Sequence, residues 1–228
     1  MARFENSDDL RRFEAEMAYE DRDLPVTIHE FLSRTASRFP ERPAISFQLL
    51  SGPRDHATTL NWREFLERVT ETANLFRSLG VGPSDTVAYM LPNSIETPVV
   101  LLAGATAGVV SPVNPLLDPQ QIAGILRETR AKVLVTLKPF PKTDVAQKAA
   151  EAVAMCPDIT HIIEIDLNRH LRGLKHYIVP LIRPKVKTAH HAKVLDFEAA
   201  TSAMNHTRLD FEDVRQDRVA AYFHTGGT

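Results

Sequence analysis

Residues 86–91 read TVAYML, residues 94–107 read SIETPVVLLAGATA and residues 132–137 read KVLVTL. The first run is nearly all apolar, as expected for a strand buried on both faces of a sheet. The second is long enough for a helix, and the third is a further strand. Strands that alternate with helices of ten or more residues predict an α/β fold, in which a mostly parallel sheet is flanked by helices.

The same patterns extend to both sides of this stretch. Trp62 and Phe65 open the apolar stripe of a helix that ends near Gly80, and we expect both to be core residues. Asn93, Asn114 and Asp118 are interpreted as turn or helix-cap residues because Asn and Asp favour such positions. Further elements are predicted as helices over 27–39, 62–79, 118–129, 143–155 and 195–204, and as strands over 44–47, 59–61, 109–110, 161–165 and 219–223.

Composition narrows the class of protein. The chain has 228 residues, 43% of them apolar and 25% charged, as in an ordinary globular domain, and its formal charge of −2 gives no reason to expect a nucleic-acid partner. Cys156 is the only cysteine, so no internal disulfide can form, and a buried thiol is expected. We interpret residues 1–25 as a charged N-terminal arm without a secretory signal and 26–228 as one domain. A cytoplasmic protein is expected, with peripheral contact with a membrane left open.

A basic insertion near 167–195 interrupts the alternation. This segment contains no Asp or Glu. One interpretation is a basic amphipathic surface over 169–193 that contacts an anionic membrane face. The other, favoured because Pro180 and Pro184 interrupt a long helix, is an insertion whose apolar residues dock on the domain. The cations are Arg169, Arg172, Lys175, Arg183, Lys185, Lys187 and Lys193, and the apolar residues are Leu171, Leu174, Ile178, Leu181 and Ile182.

The last ten residues, 219–228, read VAAYFHTGGT, which predicts a buried strand running into a glycine-rich turn. Glycines let the backbone approach a phosphate closely, and hydroxyls add donors. Thr225, Gly226, Gly227 and Thr228 are therefore the candidate nucleotide phosphate-binding residues. A catalytic His224 is disfavoured because it has no identifiable partner. A metal site at the adjacent residues 190–191 is disfavoured because their side chains diverge, so no metal ligand is predicted.

Four sequence signatures in order resemble those of the adenylate-forming (AMP-binding) enzymes, a family that includes acyl-CoA synthetases, luciferases and peptide-synthetase adenylation domains. The resemblance covers about 26–228 and is greatest to fatty-acyl or medium-chain acyl-CoA synthetases. Gly226 stands where many members have Ser. The signatures are TLNWREF at 59–65, GVGPSDTVA at 80–88 with LPNS at 91–94, AGA at 103–105 with VNP at 113–115 and DP at 118–119, and YFHTGGT at 222–228.

This resemblance implies that the chain is the first part of a large N-terminal domain, truncated in its phosphate loop. The parent enzyme would use ATP, Mg and coenzyme A to convert a carboxylic acid of the fatty-acid class first to acyl-AMP and then to the CoA thioester. The loop at 225–228 and the magnesium ion would neutralise the triphosphate. The family's catalytic residues would all lie beyond residue 228, so the fragment itself is expected to be inactive.

Two alternatives remain open. The enzyme could be an adenylation domain that loads an acyl group onto a carrier protein, or the chain could be a non-catalytic binding or membrane-surface module. A dehydrogenase is disfavoured because no strand is followed by Gly-x-Gly-x-x-Gly. Acyl-chain specificity and oligomeric state are not predicted.

Overall fold

The computed structural model describes residues 5–50, 52 and 55–224. Short 3₁₀ turns lie at Tyr19–Asp21, Leu167–His170 and Val179–Ile182. No helix within the described ranges combines the length and the apolar character needed to cross a membrane. In chain order the helices and strands are α1 (Ser7–Glu16), α2 (Ile28–Arg38), β1 (Pro43–Gln48), β2 (Ala57–Asn61), α3 (Trp62–Ser78), β3 (Thr86–Met90), α4 (Glu96–Ala107), β4 (Val109–Pro112), α5 (Pro119–Glu128), β5 (Ala131–Leu137), α6 (Val145–Ala154), β6 (His161–Ile165), α7 (Leu174–Ile178), β7 (Lys193–Asp196) and α8 (Phe197–Thr201).

A five-stranded sheet with the order β4-β3-β5-β6-β7 forms the centre of the domain, and each neighbouring pair is parallel. Every residue of β3 is buried, as its apolar sequence predicts. The strands β1 and β2 pair separately as an antiparallel hairpin. The α/β prediction with a mostly parallel sheet is therefore confirmed.

The helices cover both faces of the sheet. The chain moves from β3 to β4 on one side, then returns past β3 to β5 on the other. Because parallel crossovers are right-handed, this reversal puts α4 on the face opposite α5 and α6. Helix α4 packs with α2 and α3, while α5 packs with α6. Such a reversal leaves a crevice at the carboxyl ends of β3 and β5, where ligands often bind in open α/β sheets.

Side-chain caps explain where two of the helices begin. The Asn61 side chain accepts from the Glu64 N–H at 2.8 Å, and the Glu64 carboxylate accepts from the Asn61 N–H at 2.9 Å, which starts α3. Asp118 and Gln121 form the same reciprocal pair at the start of α5. Gly80 follows α3 with a φ of 84°, a left-handed conformation that ends helices readily.

Two predicted boundaries are wrong. Helix α4 begins at Glu96 behind Ile95, not at Ser94, so Asn93 is an exposed loop residue and does not cap the helix. Leu195 lies in β7, and α8 begins only at Phe197, where the Asp196 side chain accepts from the Ala199 N–H. Only α8 has a side-chain cap, since Ile95 offers none to α4, and in both cases the sequence pattern alone misplaces the start by about two residues.

The charged face of α3, opposite its apolar stripe, is partly covered by α8. Glu71 is only 8% exposed and lies 2.7 Å from the Arg68 guanidinium, which also contacts Glu198 of α8. Burial raises the pKa of Glu71, and Arg68 opposes that rise. The charged face of α3 is therefore an interface with α8 as well as a surface exposed to solvent.

The basic insertion docks on the domain through few apolar residues. Leu171 and Val179 are buried, at 8% exposure each. Leu174, Leu181 and Ile182 instead remain exposed, at 73%, 84% and 58%. Ile178 is exposed as well, at 40%, so the expectation that the apolar residues dock on the domain is wrong for four of the five. The cations Arg169 and Arg183 pair with carboxylates of the domain, which fixes both ends of the exposed run.

Candidate functional site

The candidate phosphate loop, Thr225, Gly226, Gly227 and Thr228, lies outside the described residues. The structure does describe the chain that leads to it, up to His224. The site can therefore be built from the elements that hold this approach and from the clefts around it.

The approach to the loop lies along the outer edge of β4. The Val110 N–H donates to the Ala220 carbonyl at 3.0 Å, and the Tyr222 N–H donates to the Val110 carbonyl at 2.9 Å. Ala221 forms a single parallel bridge with Val110. The prediction of a buried strand at 219–223 is wrong in extent, since Tyr222 is 41% and Phe223 is 68% exposed. The physical reason is that, within the described part of the chain, this segment has a β-neighbour on one side only.

Arg218 holds the start of this segment. Its guanidinium donates to the Gly108 carbonyl at 2.7 Å and to the Thr106 carbonyl at 3.2 Å, and it also bonds the Ala105 carbonyl. These are carbonyls of the last turn of α4, which lack intrahelical partners and carry partial negative charge. No local sequence pattern marks Arg218, because its position opposite α4 becomes visible only in the fold.

The preceding residues are tied to α2. The Thr27 hydroxyl donates to the Asp213 carboxylate, and Arg215 lies 3.1 Å from the Glu30 carboxylate. A cleft of about 290 Å³ lies between residues 213–218, the start of α2 and the end of α4. The Glu30 carboxylate also accepts from the Val26 N–H at 3.1 Å, while the Thr27 hydroxyl accepts from the Glu30 N–H at 3.0 Å.

His224 lies near the amino ends of the central strands, whereas the expected crevice lies at their carboxyl ends. Its Nε2 is 3.5 Å from a carboxylate oxygen of Glu128 at the end of α5. Residues 221–224 border a cleft of about 870 Å³ together with 84–86 and 128–130, which precede β3 and β5. The described approach therefore borders the amino ends of the central strands.

The crevice at the carboxyl ends of β3 and β5 is small and mostly apolar. It measures about 300 Å³, and Asn93 and Thr143 are its main polar side chains. Pro92, Leu137 and Phe140 supply apolar walls. Within the described part of the chain this crevice could hold an apolar group but offers no charged group for an anion.

A buried acid–histidine pair, which sequence reasoning missed, joins three elements at this end. Glu96, 1% exposed, lies 2.9 Å from His170 Nε2, and His170 Nδ1 lies 3.2 Å from the Thr58 hydroxyl. Burial alone would raise the pKa of Glu96, but the hydrogen bond and charge of His170 outweigh it and hold the pKa at about 2. Arg169 adds a second cationic contact at 3.3 Å. The two partners are 74 residues apart, so no local pattern could have indicated the pair.

Two further residues, Cys156 and His191, contact backbone carbonyls of the domain. Cys156 is buried, as expected, and its thiol contacts the Ala123 carbonyl at 3.4 Å, while burial raises its pKa. His191 Nε2 lies 2.9 Å from the Ile159 carbonyl. Over the described ranges, no group of three or more His, Cys, Asp or Glu side chains could hold a metal ion.

Comparison with known proteins identifies the family. The model of the family described as AMP-binding enzyme matches residues 32–228, which is most of the chain. The chain therefore belongs to the AMP-binding enzyme family. It is 28% identical over 203 residues to marinolic acid–CoA ligase of Pseudoalteromonas sp. (strain SANK 73390), covering 89% of this chain and 28% of that protein. It is 26% identical over 218 residues to long-chain-fatty-acid–CoA ligase of Bacillus subtilis (strain 168), covering 90% of this chain and 36% of the relative.

Solved structures share the fold. The acetoacetyl-CoA synthetase from Streptomyces lividans matches with a TM-score of 0.59 and 24% identity, over 78% of this chain and 25% of that one. The anthranilate CoA ligase AuaEII in complex with anthranoyl-AMP matches with a TM-score of 0.58 and 19% identity, over 87% and 32%. The chain thus spans between a quarter and two fifths of these proteins.

Proposed function

We propose that the protein to which this chain belongs is an acyl-CoA ligase that activates a carboxylic acid, of the fatty-acid class, with ATP. The observation that carries the proposal is the family match over 32–228, joined to relatives named as acid–CoA ligases. Low identity to those relatives leaves the acid to be found by experiment.

The proposed reaction has two steps. A carboxylate oxygen attacks the α-phosphorus of ATP, and pyrophosphate leaves with the electron pair of the broken P–O bond. The coenzyme A thiol then attacks the acyl carbon, AMP leaves, and the thiol proton is released. The first step gives the acyl group a good leaving group, AMP, which the free carboxylate lacks. ATP brings Mg²⁺ as its counter-ion.

In this proposal Thr225, Gly226, Gly227 and Thr228 bind the phosphates of ATP. Two features support that role. The glycines leave room for close approach of the backbone, and Arg218 together with β4 fixes the segment from which the loop departs. No catalytic residue and no magnesium ligand is assigned within 1–224. The chain on its own is therefore proposed to form no acyl-adenylate.

The first test is carboxylate-dependent ATP–pyrophosphate exchange by the product of the full open reading frame that encodes this chain. Acetate, octanoate, palmitate and an aromatic acid are compared, with the 228-residue chain as the control. Exchange with the longer acids and none with the control supports the proposal. No exchange with any acid from a folded, ATP-binding protein would overturn it and favour a non-catalytic module.

A second test addresses the loop. Replacing both hydroxyl residues, Thr225→Ala with Thr228→Ala, removes two donors, and we expect the exchange rate to fall about a hundredfold. The matched control is Thr207→Ala, an exposed threonine whose contacts are limited to Asn205. Equal rates for the loop variant and the control would remove these residues from the nucleotide site.

One relative supports a second candidate function. The chain is 31% identical over 111 residues to part of tyrocidine synthase 2 of Brevibacillus parabrevis, covering 48% of this chain. An enzyme of that kind would pass the acyl group to the thiol of a carrier protein. Incubating the acyl-adenylate-forming enzyme with coenzyme A or with a phosphopantetheinylated carrier protein identifies the acceptor, since only the true acceptor gains the acyl group.

A further inference from the structure

The exposed run within the basic insertion has the spacing of a helix that should be buried. Five of its apolar residues stand at positions i, i+3, i+4, i+7 and i+8 of the continuous turns α7 and Val179–Ile182. All five are exposed, at 73%, 72%, 40%, 84% and 58% in chain order. We call them the exposed stripe: Leu174, Tyr177, Ile178, Leu181 and Ile182.

The opposite side of the same turns holds the run against the domain. Val179 is buried, and Leu171 just before the run is buried as well. Arg183 after the run donates to both carboxylate oxygens of Asp166, at 2.7 and 2.6 Å, and to the Pro139 carbonyl. The stripe is therefore presented on a fixed support.

The cations beside the stripe are largely uncompensated. Lys175, Lys185 and Lys187 are exposed, and over the described ranges none of them pairs with a carboxylate. The Arg172 guanidinium lies 2.9 Å from His56 Nε2, and a cleft of about 360 Å³ brings Arg172 and Lys175 beside Leu174. Asp55 is the one described acid that lines this cleft, and its carboxylate accepts from the Gly52 N–H.

We propose that the exposed stripe and its flanking cations form a docking surface for an anionic lipid bilayer. The stripe would enter the boundary between headgroups and acyl chains while the lysines stay against the lipid phosphates, as interfacial helices do. A protein partner fits less well. The nine residues 174–182 extend only about 14 Å as a helix, and a stable protein interface needs about 1,200–2,000 Å² in total.

The test is flotation with vesicles of phosphatidylcholine alone and with phosphatidylglycerol added, using the product of the full open reading frame. No acid or nucleotide is present, so the result is independent of the proposed ligase activity. We expect binding to the vesicles that contain phosphatidylglycerol, and we expect high salt to weaken it.

Two matched pairs of variants locate the surface. Leu181→Ser should weaken vesicle binding about tenfold, whereas Leu116→Ser, at the same 84% exposure elsewhere, should leave it unchanged. The triple variant Lys175→Gln, Lys185→Gln, Lys187→Gln should weaken it roughly a hundredfold. Its control removes the same charge from the exposed residues Arg38, Arg63 and Lys142.

Three outcomes would overturn the proposal. The first is no flotation with either vesicle, and the second is binding that both members of a matched pair reduce equally. The third is self-association that Leu181→Ser abolishes in sedimentation velocity while vesicles bind nothing, which would assign the stripe to a second copy of the chain. We expect every variant to fold, because none of the substituted side chains is buried. Thermal melting of each variant checks this.

Discussion

At the scale of single residues, the buried pair of Glu96 and His170 links distant parts of the chain. It joins the start of α4 to the turn at Leu167–His170, and through Thr58 to β2. A buried carboxylate stays charged only when its partners outweigh the loss of water, and here they lower its pKa to about 2. The His170 ring thus links three segments that are distant in sequence, at the carboxyl end of the sheet.

Glu96→Gln should lower the free energy of unfolding by about 3 kcal/mol at pH 7, because it removes a buried carboxylate that is hydrogen-bonded to His170 and lies 3.3 Å from the Arg169 guanidinium. The exposed Glu41→Gln, whose carboxylate is 70% exposed beside Arg63, should change the same quantity by less than about 0.5 kcal/mol. Urea denaturation of the three proteins measures both effects.

The pH dependence follows from the sign of the shift. The pKa of Glu96 is lowered on folding from 4.5 to about 2, so its contribution is present above pH 4.5 and is lost as the pH falls through about 2. The difference in unfolding free energy between the wild type and Glu96→Gln should therefore shrink to less than half between pH 5 and pH 3. A constant difference over that range would contradict the assignment of the stabilisation to this carboxylate.

At the scale of elements, two helices on one face begin with aspartate but differ in their caps. The Asp118 carboxylate accepts from the Gln121 N–H at 2.8 Å at the start of α5, whereas Asp144 makes no side-chain cap bond at the start of α6. The Asp144 carboxylate lies 3.3 Å from the Lys148 ammonium group, with 67% of its side chain exposed. The same residue type therefore stabilises one helix by a cap and contributes little to the other.

Asp118→Ala should destabilise the protein by about 1 kcal/mol, because one backbone donor of α5 loses its acceptor. Asp144→Ala should lower the free energy of unfolding by only about 0.3 kcal/mol, which is typical of an exposed ion pair. Chemical denaturation midpoints of the two variants decide the point, and equal losses would show that the cap geometry at Asp118 has no energetic consequence.

At the scale of the whole molecule, Arg218 joins the approach to the candidate loop to the end of α4. Arg218→Met keeps much of the side-chain bulk but removes the donors to three carbonyls at the end of α4. Bonds from a charged donor contribute about 1.5–3 kcal/mol, so hydrogen exchange of the Tyr222 amide should accelerate at least about tenfold. The control is Arg208→Met, an exposed arginine, and equal exchange in the two variants would remove Arg218 from this role.

The sequence predicts the order and type of the elements well, and it predicts long-range contacts poorly. Helix α3 and strand β3 are recognisable because their own periodicity and caps define them. The exposure of the stripe at 174–182 goes against the favoured interpretation of a docked insertion, since a helical apolar pattern normally indicates a buried face. Arg218 and Glu96 were missed for a related reason, because each meets partners more than 70 residues away.

The strand order also determines how the sheet can grow as the ribosome delivers the chain. Strand β3 emerges first, β4 joins one of its edges and β5 the other, and β6 and β7 then extend that second edge in turn. The segment at Ala221 reaches the free edge of β4 last. Every described strand of the sheet therefore meets an open edge when it is synthesised, and no finished pair has to separate to admit a later one. A domain built in this order can fold during translation by simple addition.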